Sequence, residues 1–240
     1  MAHETEIKLR IENAASFRRK LKKLGARPVP GGVGRVHEWN VIFDTPDGGL
    51  AKHGQLLRIR TETPVGRTNK ARRSAVGRVV LTFKRPTTPA GTEPSAAGRI
   101  VKASRHKVRE EIELEVADAE NLTKVFEGLG MRGWFRYEKY RTTFALPAAS
   151  RWGRNLLIEL DETPMGTFVE LEGPAEAIDR AAKELGYSPR DYVLKNYLAL
   201  YAEECRRKNE EPHDMVFAEP KGLSKRVIPS KKLPRRAFFS

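Results

Sequence analysis

The chain has 240 residues, 39% of them hydrophobic, and a formal charge of +14, enough for one sizeable core with an appendage. A single cysteine, Cys205, excludes an internal disulfide, and the five histidines (His3, His37, His53, His106 and His213) lack zinc-ligand spacing. No apolar run reaches the roughly 18 residues of a membrane span, and the acidic opening with Glu4, Glu6 and Glu12 has no secretory core, so the expected setting is the cytoplasm.

The chain opens on a strand, "TEIKLRI", that places Glu4, Glu6 and Lys8 on one face and Thr5, Ile7 and Leu9 on the other. A helix follows over "NAASFRRKLKKLG", stopped by Gly25. Next comes the strand "HEWNVIFDT", whose Asp44 is expected to shape a turn with Thr45 and Pro46 rather than bind a ligand. In "QLLRIRTE" Arg58 and Arg60 share a face, and in "VVLTFKR" Lys84 shares one with Thr82. The runs 63–78 and 86–99 read as loops, and the whole stretch 61–108 carries eleven cations against Glu62 and Glu93. Within it Lys102, Arg105 and Lys107 read as a solvated basic face.

The strand "VREEIELEV" then puts Arg109, Glu111, Glu113 and Glu115 on one face, opposite Ile112 and Leu114. A helix over "ADAENLTKVFEGLG" ends at Gly130, and "RYEKYRTTFAL" aligns Lys139 with Arg141. Glu159 and Asp161 share a face in "NLLIELDE", as do Glu170 and Glu172 in "TFVELEG". Two helices close the chain: "GPAEAIDRAAKELG", ending at Gly186, and "SPRDYVLKNYLALYAEE", with a Ser-Pro entry. Three times an acidic alternating strand precedes a helix ending Leu-Gly, a partial internal repeat. Trp39, Trp134 and Tyr137 read as packing residues. Residues 206–240 hold ten Lys/Arg and four Asp/Glu with little periodicity, so a domain over 1–205 and a flexible basic tail over 206–240 are expected.

Like charges about 6 Å apart repel by roughly 2–3 kcal/mol at an effective dielectric near 20, and a solvated sheet would intersperse the signs. Strands that are wholly acidic or wholly basic therefore point to an outside source of opposite charge. Carboxylate clusters suit a hard divalent cation and Arg/Lys clusters suit phosphate. An α+β fold brings them together if about eight mostly antiparallel strands close into a barrel whose charged faces line a tunnel and whose apolar faces lie under the surrounding helices. Removing one arginine from such a tunnel is then expected to relieve repulsion and slightly stabilise the ligand-free fold.

The ordered series Glu4-x-Glu6-x-Lys8, "FDTPDGGLAKHGQLLRIR", "LTFKR", "REEIE", "EKYR" and "LDETPMGTFVELEG" resembles the CYTH domain family, the triphosphate tunnel metalloenzymes, over about residues 3–202. The resemblance implies Mg²⁺ or Mn²⁺ bound by Glu4, Glu6, Asp161, Glu170 and Glu172. It implies phosphate contacts from Lys8, Arg58, Arg60, Lys84, Arg109, Arg141 and Lys195, and catalytic or orienting roles for Lys139, Glu111 and Glu113. The implied activity is metal-dependent hydrolysis of inorganic tripolyphosphate or an organic triphosphate. Its rivals are cyclisation of ATP by a class IV-type adenylyl cyclase and a non-catalytic polyphosphate or RNA-binding module. Long-polyanion contact through the basic tail and insertion, and a homodimer, are compatible with it, whereas a membrane partner is not expected.

Overall fold

The computed structural model describes residues 2–29, 34–65, 77–87 and 105–218. Most of the basic insertion and the tail from residue 219 lie outside the described residues. The strands are β1 (Ala2–Ile11), β2 (Arg27–Pro28), β3 (Arg35–Asp44), β4 (Leu56–Pro64), β5 (Arg78–Pro86), β6 (Lys107–Val116), β7 (Arg132–Ala145), β8 (Leu157–Thr163) and β9 (Gly166–Glu172). Around the barrel they run β1, β6, β5, β4, β3, β7, β8, β9 and back to β1, each pair antiparallel. Eight strands thus close the expected barrel. The two-residue β2 is an addition, paired to the Phe144–Ala145 end of β7.

Alternation sorts the side chains as the sequence implied. Ile7, Leu9 and Ile11 of β1, Ile158 and Leu160 of β8, and Val169 and Leu171 of β9 face outward and are buried. Over them lie α1 (Ala14–Leu24) and α4 (Ala175–Glu184), through Phe17, Leu21, Ile178 and Ala181. The helix α3 (Ala119–Gly128) seats Phe126 on Phe43, Leu57, Ile59 and Val79. Each large side chain so buried contributes roughly 1.5–3 kcal/mol. The core is therefore a shell between barrel and helices, which frees the barrel interior for charge.

Asp44 shapes its turn as expected. Its carboxylate accepts the backbone N–H groups of Thr45, Leu50 and Ala51 at 2.7, 2.8 and 3.0 Å and so anchors the short α2 (Gly49–Lys52).

The end of the chain departs from the sequence reading. Ser188 and Pro189 open only a short 3-10 turn, Pro189–Asp191, because Val193 exchanges both backbone hydrogen bonds with Lys8 and holds the chain extended. The last helix, α5 (Tyr197–Lys208), starts later, with the Asn196 side chain accepting the Ala199 N–H at 2.8 Å. Beyond Asn209 the chain returns along β7. Met215 donates to the Arg136 carbonyl and accepts from the Glu138 N–H, both at 2.9 Å, and Phe217 packs on Tyr140. Met215 is 1% exposed, so the packed body continues past the expected limit at residue 205, at least to Phe217.

One end of the barrel is closed by apolar contact. The inward positions there are Ile42, Phe135, Tyr137 and Phe168, and α5 adds Tyr197, Leu200, Tyr201 and Cys205. The charged faces begin directly above this plug.

Candidate functional site

Above the plug lies a cavity of about 470 Å³. Of four consecutive strands, β7, β3, β4 and β5, all but β3 bring cations: Lys139, Arg141, Arg58, Arg60, Arg78 and Lys84. The other four, β6, β1, β9 and β8, bring Glu111, Glu113, Glu4, Glu6, Glu170, Glu172 and Glu159 to the lining, with Asp161 fully buried behind them. Lys8, Lys107, Glu38 and Glu62 are the exceptions, each set among the opposite sign.

Arg141 is the most heavily engaged group. It reaches Asp161 through Nε and Nη2, both at 2.7 Å, Glu170 at 2.6 Å and Glu38 at 3.6 Å, and it pairs with Glu159 as well. Asp161 also accepts from Lys139 Nζ at 2.8 Å and from the Tyr197 hydroxyl at 2.7 Å. Burial opposes a charge on Lys139, as does nearby Arg141, yet Asp161 and Glu38 outweigh both and raise its pKa. The raised pKa favours the protonated amine.

On the basic wall Arg58 donates to the Tyr137 hydroxyl at 3.0 Å and to Thr82 at 3.1 Å, while Thr82 donates to Glu113 at 3.0 Å. Arg60 meets Glu113 at 3.3 Å. Glu113 thus orients the arginine pair. Lys84 stands 2.5 Å from Glu4 and 3.0 Å from Glu111. Lys8 lies between Glu6 at 3.1 Å and Glu170 at 3.2 Å, and Lys107 caps Glu6 from the other side. Burial pushes Glu6 up, but Lys8 and then Lys107 pull its pKa down to about 2.

Glu172 stands apart. It has no ion-pair partner among the described residues, and burial, then the charges of Glu159 and Glu4, push its carboxyl up to about 8. Burial and the neighbouring Glu170 and Asp161 likewise hold Glu159 at about 7 despite Arg141. Register causes this crowding, since Glu6 faces Glu172 across β1–β9 and Glu159 faces Glu170 across β8–β9. Gly173 fixes where β9 ends: its φ is 145°, and a Cβ there would stand 2.4 Å from the Asn155 carbonyl oxygen.

An all-carboxylate donor set suits a hard divalent cation, and Glu172, whose proton such a cation would displace, has no ion-pair partner among the described residues. Among the described residues no three such side chains are gathered around one point, because lysines and arginines hold most of them. The donors fit in their chemistry: Glu172 is unpaired among the described residues, Glu4 pairs with Lys84, and Glu6 is held by Lys8 and Lys107. Asp161 is fully occupied by Arg141, Lys139 and Tyr197.

Several sequence expectations change. Lys195 is exposed and pairs with Glu203 outside the barrel; it is not itself among the lining residues, although the three that follow it, Asn196, Tyr197 and Leu198, are. Arg109 bonds the Gly54 carbonyl at 2.9 Å and is absent from the lining. Lys107 is not a solvated cation but faces Glu6 in the tunnel. Tyr137 and Glu38, whose strands carried other signals, both line the site.

A closed antiparallel barrel with paired acidic and basic faces inside is the CYTH arrangement. The sequence pattern of the CYTH domain matches residues 2–197, and the chain belongs to that family. A protein of Methanocaldococcus jannaschii described as a candidate adenylate cyclase is 25% identical over 202 residues, covering 82% of this chain and 97% of its own. Two solved structures from Pyrococcus horikoshii share the fold. PH1819 has a TM-score of 0.59 at 21% identity, covering 84% of this chain and 99% of its own. PH1012 has a TM-score of 0.55 at 24% identity, covering 81% and 96%.

Proposed function

We propose that this protein hydrolyses triphosphates with the aid of Mg²⁺ or Mn²⁺, inorganic tripolyphosphate being the leading substrate. The division of the tunnel wall into a cationic and an anionic half supports this most directly. A chain of three phosphates needs cations for its oxygens, and a hard metal needs carboxylates facing them. Each phosphate-binding cation has a carboxylate partner that it can exchange for phosphate oxygen. Lys84 would leave Glu4 and Glu111, Lys8 would turn from Glu6, and Arg58 and Arg60 would keep their orientation through Thr82 and Glu113.

The carboxylates so released, Glu4 and Glu6, join Glu172 as the set that would hold the cation. Bound there, a divalent cation supplies charge neutralisation and a lowered pKa for water. Arg141 and Lys139 stabilise charge on the transferred group, the main demand of phosphoryl transfer. Asp161 and Tyr197 hold both cations in place.

ATP cyclisation is the second reading, favoured by Pro28, Val29, Val36 and Leu157, which give the cavity an apolar border away from the plug. Product analysis with ATP and with tripolyphosphate, each with Mg²⁺ and with Mn²⁺, decides between them. Orthophosphate with little cyclic nucleotide is expected, and dominant cyclic AMP would overturn the first reading.

A further inference from the structure

Among the described residues, seven of the eight cations that line the cavity have a carboxylate at 3.2 Å or closer. Arg58 is the exception. Its Nη1 donates to the Tyr137 hydroxyl at 3.0 Å and its Nη2 to the Thr82 hydroxyl at 3.1 Å. The carboxylate that pairs with it, through Glu113 Oε1, stands 3.9 Å off, beyond hydrogen-bond range. Hydroxyls hold a guanidinium in place without cancelling its charge. That charge is felt along the wall at Lys84: burial lowers the pKa there, Glu4 raises it, and Arg58 is the next influence, lowering it, although the balance leaves the pKa raised. Arg58 thus mirrors Glu172, as the lining cation that the chain leaves without a close counter-charge.

Tyr137 is firmly placed beside this arginine. It is 5% exposed, lines the cavity, and its ring stacks on Phe135 with centroids 5.9 Å apart. Its strand neighbours Arg136 and Glu138 both bond to the Met215 backbone at 2.9 Å, so the returning chain clamps β7 on either side of it. Thr82, the other hydroxyl, donates onward to Glu113 at 3.0 Å and so bridges Nη2 and that carboxylate. We propose, on the basis of the triphosphatase reading, that Tyr137 is a positioning residue: its hydroxyl keeps the Arg58 guanidinium from closing on Glu113, so that one cation of the wall takes a substrate phosphate oxygen without first breaking an ion pair. Each terminal nitrogen of Arg58 carries a second N–H, unused by the two hydroxyls, for phosphate to accept. Without the Tyr137 hydroxyl, Nη1 loses its partner in a buried site, and turning to Glu113 is the nearest way to satisfy the guanidinium.

The test compares wild type, Tyr137→Phe, Glu113→Gln and the double variant in full-length protein with Mg²⁺. Orthophosphate release from tripolyphosphate is measured beside binding of diimidotriphosphate, which is not hydrolysed, and beside Tm. Tyr137→Phe keeps the ring and its packing. It is expected to raise KM for tripolyphosphate and Kd for the analogue by about tenfold, with kcat within about threefold of wild type. In the Glu113→Gln background the glutamine still accepts from Thr82 but has no charge to capture Arg58, so adding Tyr137→Phe should change Kd by less than about twofold. An unchanged Kd in Tyr137→Phe overturns the positioning role. So does an equal loss in both backgrounds, or a joint fall in kcat and Tm that ignores residue 113, since either would make Tyr137 a packing residue alone. Wild-type protein that binds the analogue yet releases no orthophosphate from any triphosphate removes the triphosphatase reading, and the Kd comparison then still decides the role of Tyr137. Wild-type protein that does not bind the analogue removes both.

Discussion

Two groups on the acidic side of the tunnel, about one strand apart, have opposite electrostatic fates. Asp161 is fully buried yet satisfied, with Arg141, Lys139 and Tyr197 converging on it. Glu172 is less buried but faces Glu159 and Glu4, and among the described residues no cation pairs with it. Burial alone therefore does not set the state of a carboxylate in this tunnel. On the proposed function, what would separate a structural anion from one that takes a ligand is whether the chain supplies the counter-charge.

The largest expected effect comes from breaking the satisfied side. Arg141→Met leaves Asp161, Glu159 and Glu170 short of their main cation, so the metal-free protein should lose about 3–5 kcal/mol in urea denaturation. This reverses the expectation from charge repulsion alone, because four carboxylates surround this arginine. A variant as stable as the parent would show that the nest is not an energetic unit.

Glu172→Gln breaks the other side. Metal-dependent hydrolysis is expected to fall by about 10²-fold or more, while metal-free stability at pH 8 rises by on the order of 1–2 kcal/mol as a strained charge disappears. Lower stability would assign Glu172 to the scaffold.

A smaller effect follows from pH. In the unfolded chain Glu172 loses its proton near the ordinary carboxylate range, whereas in the folded protein it keeps it up to about 8. Between those limits the native state binds more protons, so metal-free stability falls as pH rises from about 4.5 to about 8 and then levels. Thermal melting without and with Mg²⁺ should show the largest metal-induced rise in Tm at the alkaline end. Glu172→Gln should flatten the profile.

The smallest effect sharpens the boundary of the site. Lys195→Ala, at an exposed pair outside the barrel, should change stability by less than about 0.5 kcal/mol and leave phosphate release unchanged. A raised KM would bring that segment back to the substrate.

Most of the barrel was legible because a closed sheet enforces a two-residue period, and the period is visible wherever like charges recur on one face. Arg58 with Arg60, Lys139 with Arg141, and Glu170 with Glu172 are such pairs. The signal fades on β3, where Glu38 is followed inward by Asn40 and then Ile42, so no charge repeats and the strand looked merely structural. Lys107 was hidden by its basic neighbours in sequence, and only the register that sets it opposite Glu6 reveals its place. The apolar plug was also encoded, in the inward positions Ile42, Tyr137 and Phe168. It could not be told from ordinary core until α5 was seen to lie on it.

The position of β1 between β6 and β9 bears on how the molecule assembles. The first strand pairs through Glu6 with residue 107 on one side and with residue 172 on the other. During synthesis it must wait for more than two-thirds of the chain before both its edges are covered. Contacts this distant in sequence slow folding, and through that interval Ile7, Leu9 and Ile11 remain open to wrong partners. Nascent chains halted before β9 is made should accordingly be protease-sensitive and chaperone-bound, with acquisition of compact structure deferred until β9 has cleared the ribosome.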